Sequence, residues 1–484
     1  MLQAVDVGQR QLARYRQIVG DDVLGEIAAL ARRVQGLRVL HINATPYGGG
    51  VSELLRSLVP LLCDVGVRAE WRIISGDPDF FRITKTMHNA LQGQVVALPR
   101  ADRDAYLRTA QANADQLEDS YDVVVVHDPQ PAALASLKPD AGATWVWRCH
   151  IDTSAPNAEY WRFLGSFLDA YDGLVFTMRD FVPAALRNRE IFVVPPAIDP
   201  LSPKNMDLPD QIARDVLAWI GIDPTDPIIT QVSRFDPWKD PLGVLDAYRL
   251  ARTEFPSLQL VFVGSMALDD PEGWEIYRSL HDATKSDPAI HLFTNLSGVG
   301  NVEVNAFQRR SKLIVQKSIR EGFGLVVSEA MWKQTPVVAG RAGGIPLQMA
   351  DGAGGVLVDD VDGCAKAIVN LLGNEQHARE LGAAGRERVR DHFLITRLLL
   401  NELSMLDALV NPGKQVGGDG QAQRCDAQCG MALAAGASTF AATVGDERYE
   451  FCSQRCRDQF IEARPQASLR VSQTAGARAH GGGI

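Results

Sequence analysis

Two carboxylates eight positions apart bracket the run Glu321-Gly322-Phe323-Gly324-Leu325-Val326-Val327-Ser328-Glu329. The run reads as a loop turning into a helix, with one acid before the turn and one inside the helix. Gly322 and Gly324 let the backbone approach a ligand closely. Amides of the turn and of the helix start can face an anion such as a diphosphate. Ionised carboxylates accept hydrogen bonds from hydroxyls. Acids beside an anion site therefore suit a diphosphate joined to hydroxyl-rich rings, which is a nucleotide sugar. The same spacing also fits a loop capping an ordinary helix, with Glu329 on a solvated face.

Three further segments place reactive side chains at the carboxyl ends of strands. Pro46-Tyr47-Gly48-Gly49-Gly50-Val51-Ser52-Glu53 joins the first α/β strand to its helix. Its glycines suit a phosphate at a helix start, or a tight turn alone. It is neither a Walker motif nor a full dinucleotide fingerprint. Ser233-Arg234-Phe235-Asp236-Pro237-Trp238-Lys239-Asp240-Pro241 sets two cations about a proline turn. Arg234 can fork onto a phosphate and Lys239 adds a point charge, unless Asp236 and Asp240 hold both as surface ion pairs. Trp147-Arg148-Cys149-His150-Ile151-Asp152 closes another strand. His150 and Asp152 share a face if that strand continues.

The elements that position these segments alternate along the chain. Continuous apolar runs read as parallel strands buried on both faces: Leu37–Ala44, Ala69–Ile74, Val95–Leu98, Val123–His127, Trp145–Cys149, Leu174–Thr177 and Phe192–Val194. A second set follows at Ile228–Val232, Leu260–Val263, His291–Thr294, Leu313–Gln316, Pro336–Ala339 and Gly355–Val358. The fold class is α/β, two Rossmann-like doubly wound domains facing a cleft. Residues 1–200 form the first, opened by one or two helices over Gln9–Arg33, and 201–410 the second, closed by a helix over Phe393–Leu409. A glycine-rich linker at 411–423, a small cysteine-rich unit at 424–466 and a disordered tail at 467–484 follow.

Composition narrows the function. A chain of 484 residues exceeds one core, and its net charge of -10 argues against a nucleic-acid surface. No stretch approaches the roughly 20 apolar residues of a membrane helix. The segment Met1–Arg16 lacks the apolar region of a signal peptide, so the expected location is cytoplasmic, with no nucleic-acid or membrane partner.

Cys63, Cys149 and Cys364 are scattered and read as small buried apolar residues. Cys425, Cys429, Cys452 and Cys456 form two C-x3-C pairs separated by 22 residues. Four thiolates suit zinc, although copper(I) and iron also take soft ligands. In a cytosolic chain metal binding outweighs disulfides; free thiols in a redox-active tail are the other reading. Cys429-Gly430-Met431 and Phe451-Cys452-Ser453 resemble the YHS or TRASH class of metal-binding modules.

Taken in order, the glycine, Arg-Cys-His-Ile-Asp, Ser-Arg-Phe-Asp-Pro-Trp-Lys-Asp-Pro and E-x7-E segments resemble glycosyltransferase family 4, retaining enzymes of the GT-B fold. His41-Ile42-Asn43-Ala44-Thr45, the Trp147–Asp152 string and the helical N-terminus bring the chain nearest to trehalose synthases of the glycosyltransferring type. The resemblance implies transfer of glucose from a nucleoside diphosphate glucose to glucose, forming trehalose reversibly and without a catalytic metal. It implies that Glu321 sits near donor-sugar hydroxyls and that Glu329 accepts from the ribose. Amides of Gly322, Phe323 and Gly324 would hold sugar and phosphate, with Gly49 and Gly50 near the diphosphate. Arg234 and Lys239 would meet leaving-group charge, His150 would lie near the anomeric centre, and Asp152 would touch the acceptor. Open alternatives are a different acceptor such as a sugar phosphate, or a non-catalytic sensor of nucleotide sugar and metal. The N-terminal helices could form a homodimer surface.

Overall fold

The computed structural model describes residues 2–118, 120–139, 142–186, 188–223, 225–266, 271–412, 426, 428, 439–444, 447–451, 454–462 and 469–474. The chain divides into two compact units, Met1–Pro196 together with the chain from Ile395 onward, and Ala197–Leu394.

In the first unit β1 (Gln3–Ala4), β2 (Arg38–Asn43), β3 (Arg68–Ile73), β4 (Val123–His127), β5 (Thr144–Cys149), β6 (Gly173–Phe176) and β7 (Ile191–Val193) form one sheet in the order β1-β3-β2-β4-β5-β6-β7. All pairings are parallel except β1 against β3. Every residue of β4 is buried, as its unbroken valine run requires when helices cover both faces. The chain leaves β2 for β3, then crosses back to β4. The carboxyl ends of β2 and β4 thus flank the topological switch point, where open α/β sheets bind ligands.

The second unit repeats the design. β8 (Ile228–Val232), β9 (Gln259–Gly264), β10 (Ile290–Thr294), β11 (Leu313–Gln316), β12 (Val337–Gly340) and β13 (Gly355–Val358) are wholly parallel, in the order β10-β9-β8-β11-β12-β13. Its switch point lies between β8 and β11. Two Rossmann-like units of this kind are the expected GT-B architecture.

Four expectations are corrected. Val95–Leu98 is not a strand; it links the helices Pro78–Leu91 and Arg100–Ala114. Side chains, not a neighbouring strand, satisfy its backbone: Asn157 Nδ2 donates to Val96 O at 3.0 Å, and Glu159 Oε2 accepts from Leu98 N at 3.2 Å. The last helix, Ile395–Val410, belongs with the first unit, not the second. It packs on the helix Arg16–Arg33, and Arg33 Nε pairs with Asp407 at 2.8 Å. That N-terminal helix breaks at Gly20 (φ 83°, ψ 171°) and buries Ile27 and Ala31. The first unit accordingly ends at Pro196. Finally, the tail is not wholly unstructured, since β16 (Leu469–Thr474) pairs antiparallel with β14 (Thr439–Val444).

β15 (Glu447–Phe451) completes a three-stranded sheet in the order β15-β14-β16. On the helix Gln454–Glu462, Phe460 meets Tyr449 and Phe451 at ring-centroid distances of 4.8 and 5.1 Å. Cys456 is buried on this helix. Cys425, Cys429 and Cys452 lie outside the described residues, as does the linker from 413 to 423. No helix among the described residues is long and apolar enough to cross a membrane.

Candidate active site

At the carboxyl end of β2 the loop to the helix Gly50–Asp64 is pinned from several sides. Asn43 Nδ2 and Ser52 Oγ both donate to Thr45 O at 2.8 Å, and Arg56 Nη2 donates to Pro46 O at 2.9 Å. Gly48 takes φ +79°, a conformation that strains other L-residues. Gly49 is the N-cap, and around Gly48 and Gly49 an added Cβ would meet nothing within 4 Å. The helix therefore starts at an open glycine lip with the positive end of its dipole foremost.

β4 and β5 supply the polar core beside it. His41 lies opposite Val125, and His127 opposite Arg148. Residues two apart on a strand share a face, so His41, His127 and Arg148 project from one side of the sheet. His150 follows the last residue of β5, and its N–H donates to Asp128 Oδ1 at 2.9 Å. The strand ends at Cys149, so the condition for His150 and Asp152 to share a face is not met. Asp152 instead turns the chain, its Oδ1 accepting from Ser154 N at 2.9 Å. The rings form a direct chain: His41 Nδ1 to His127 Nε2 at 3.1 Å, and His127 Nδ1 to His150 Nε2 at 2.9 Å. Burial, aided by the Arg148 charge, lowers His41 to about 3 and holds His127 and His150 well below the usual imidazole range. All three are neutral near pH 7.

Arg148 is itself buried and pairs with Glu402 of the last helix at 2.8 Å. Burial pushes Glu402 up and Arg148 down, so desolvation outweighs their attraction. Asp128 sits in the left-handed region at φ 64°. Burial raises its carboxyl to about 7, against the opposing pull of the His150 N–H and of Arg148.

A sign follows for stability. The folded carboxyl keeps its proton up to about pH 7, while an unfolded one releases it near pH 4. The folded chain binds more protons in that window, so this group's stabilising share is present in acid and lost as pH rises through 7. Asp128→Asn, which tolerates the same backbone and accepts the same bond, is expected to be more stable than wild type. The gap should open between about pH 4 and 7 and stay constant above, at up to about 4 kcal/mol. Urea midpoints across pH test this; parallel curves would refute it.

In the second unit the loops after β8 and β11 meet. Lys239 Nζ donates to Glu321 Oε2 at 2.6 Å, and Ser318 Oγ donates to the same oxygen at 3.3 Å. Two residues 82 positions apart in sequence thus form one unit. The surface-pair alternative holds for Arg234, which meets Asp236 at 3.2 Å. It fails for Lys239, because Asp240 pairs with Lys317 instead. Gln231 Nε2 donates to Lys239 O at 2.7 Å and Ile319 N to Trp238 O at 2.9 Å, locking the loops together.

The turn Gly322–Gly324 is held equally firmly. Gly324 takes φ +81° as N-cap of the helix Leu325–Trp332; Val327 N donates back to Gly324 O at 2.9 Å, and the amides of Leu325 and Val326 come before the first intrahelical bond. Gln348 Nε2 donates to Phe323 O at 2.5 Å, and Gly344 N to Gly322 O at 3.0 Å. A Cβ on Gly343 would fall 1.7 Å from Glu321 O at a φ of +50°, so only glycine lets the two loops touch. Glu329 is not on a solvated face. It is 1% exposed, with Oε2 accepting from Gln308 Nε2 at 2.9 Å and Oε1 facing Lys204 Nζ at 3.4 Å. Beside it Lys333 donates to Asn205 Oδ1 at 2.8 Å, and burial lowers its ammonium to about 7.

The trehalose synthase N-terminal domain family matches residues 41–183, and the group 1 glycosyl transferases match 218–388. A trehalose synthase of Rubrobacter xylanophilus is 49% identical over 416 residues, covering 85% of this chain and all of its own. This chain belongs to the trehalose synthase family. It is a glycosyltransferase. A trehalose synthase of Thermococcus litoralis is 44% identical, covering 82% of this chain and 97% of its own. A UDP-forming α,α-trehalose-phosphate synthase of Burkholderia xenovorans, 16% identical, superimposes with a TM-score of 0.59 over 78% of this chain and 99% of its own, which supports the GT-B fold.

Within this trehalose synthase family member, sequence reading singles out Glu321, Lys239, His150 and the glycine loops. It misses His41, His127, Asp128, Lys317, Ser318, Lys204, Gln308 and Gln348. The His127-Asp128 pair that follows the valine run of β4 is the one readable signal. The others are set by pairing across loops and strands, which spacing does not reveal.

Proposed function

We propose that the chain moves glucose from a nucleoside diphosphate glucose to free glucose with retention, forming α,α-trehalose reversibly, in the cytoplasm. The observation that carries this reading is the 2.6 Å Lys239–Glu321 pair at the Gly322–Gly324 turn, in a chain 49% identical to a trehalose synthase.

The second unit takes the donor. Amides of Gly322, Phe323 and Gly324, with Arg234 and Lys239, receive the diphosphate. Lys239 has three N–H donors and spends one on Glu321, leaving two for phosphate oxygens. Glu321 accepts from donor-sugar hydroxyls through its other oxygen. A carboxylate offers about four lone-pair sites, so Glu329 can take a ribose hydroxyl while keeping Gln308 and Lys204. In the first unit Gly49 and Gly50 offer backbone to the diphosphate, His150 lies by the anomeric centre, and Asp152 meets the acceptor.

No covalent nucleophile is assigned, and no metal takes part in the transfer. The bond from the anomeric carbon to the phosphate oxygen breaks, and the bond to the acceptor oxygen forms on the same face. The departing phosphate oxygen takes the acceptor proton. Fixed cations at the leaving group suit such a route, because charge developing there is met without reorganisation.

NMR of products from glucose with uridine, adenosine or guanosine diphosphate glucose tests this. The expected result is α,α-trehalose, absent with Glu321→Ala. Transfer only to a sugar phosphate would overturn the acceptor, and binding without turnover would favour a sensor.

A further inference from the structure

His41, His127 and His150 are three of the nine histidines in the chain, and they touch nitrogen to nitrogen. The contacts of 3.1 and 2.9 Å are direct hydrogen bonds and leave no room for an ion between the rings. His150 is half-buried and its Nδ1 has no partner among the described residues. At the other end His41 is fully buried and its Nε2 has no partner.

A neutral imidazole carries one N–H and one lone pair. Two bonds in series can therefore be made in two ways only. In one, every ring is protonated on Nδ1, and protons point from His41 through His127 towards His150. In the other, every ring is protonated on Nε2, and the order reverses. A mixture of tautomers would set two lone pairs or two protons against each other.

The buried end decides between them. With Nε2 protonated, His41 would bury an N–H with nothing to receive it. With Nδ1 protonated, it buries only an unused lone pair. Orphaned buried N–H groups are the rarer of the two. Nothing else fills the far end, since Arg148 faces Glu402 and Asp128 faces the His150 amide.

We infer that His41 and His127 are positioning residues that lock His150 in its Nδ1–H tautomer, so that His150 presents a hydrogen-bond donor outward. Neither residue need touch a substrate. The low proton affinity of all three rings keeps the device neutral and therefore one-way. The outward N–H suits an oxygen of a sugar or phosphate, whereas the reverse tautomer would offer only an acceptor. The use made of His150 rests on the transfer reading above; the tautomer itself does not.

Ring-nitrogen NMR of the full chain, labelled on histidine and assigned by single substitutions, reads the tautomer without substrate. The expected spectrum shows Nδ1 protonated and Nε2 bare in all three rings. A protonated Nε2 on any of them overturns the inference. His41→Asn is the second test, because an amide can reverse and donate or accept. It should return a second His150 tautomer with the far-ultraviolet circular dichroism unchanged. An unaltered His150 signal in that variant would also overturn it. Trehalose formation, measured separately, reports on the transfer reading alone.

Discussion

Lys239→Ala is expected to slow glycosyl transfer by about 10²- to 10³-fold, the usual loss on removing a fixed charge that stabilises a transition state. The lysine is 17% exposed and its partner Glu321 10%, so the pair is poorly screened by water. Glu321→Gln should cost a similar factor, because it frees Lys239 from its anchor and weakens its grip on sugar hydroxyls. The double variant should be little worse than either single one. Residues that act as a unit give non-additive losses. Steady-state kinetics with saturating glucose would show this as a fall in kcat larger than any rise in the donor KM. Fully multiplicative losses would mean that the 2.6 Å contact has no catalytic meaning.

Glu402→Ala is expected to destabilise the chain by about 3–5 kcal/mol, the cost of leaving one buried charge without its partner. Arg148 is 1% exposed and Glu402 0%, and Glu402 Oε1 has no other bond. The arginine is effectively always protonated, so its charge would stay buried. Replacing both, as in Arg148→Met with Glu402→Leu, should recover most of the loss, because a packed apolar pair avoids desolvating two ions. Urea midpoints of the three variants decide the matter. An unshifted Glu402→Ala midpoint would mean that water reaches Arg148. Activity should fall with the single variant even where it stays folded, since Arg148 lies two residues from His150.

Much of the architecture was legible because parallel strands buried on both faces must be apolar throughout. β8, β11 and β13 match their sequence assignments to the residue, each being such a run after a turn. Val95–Leu98 has the same composition, yet Asn157, Tyr160 and Glu159 take its backbone groups instead of a strand. Composition records burial; it does not record what supplies the hydrogen bonds.

The family, the two α/β units and the glycine and acid loops at their strand ends could be read from the residues alone. Those features are local, arising from apolar runs, turn residues and spacing within a few turns of chain. Tertiary structure alone decided that Lys239 pairs with Glu321 and not Asp240, that Glu329 is buried, and that the last helix serves the first unit. It alone lined up His41, His127 and His150 on three elements 86 and 23 residues apart. Each of these depends on strand order and register, which join residues distant in sequence and leave no local pattern to read.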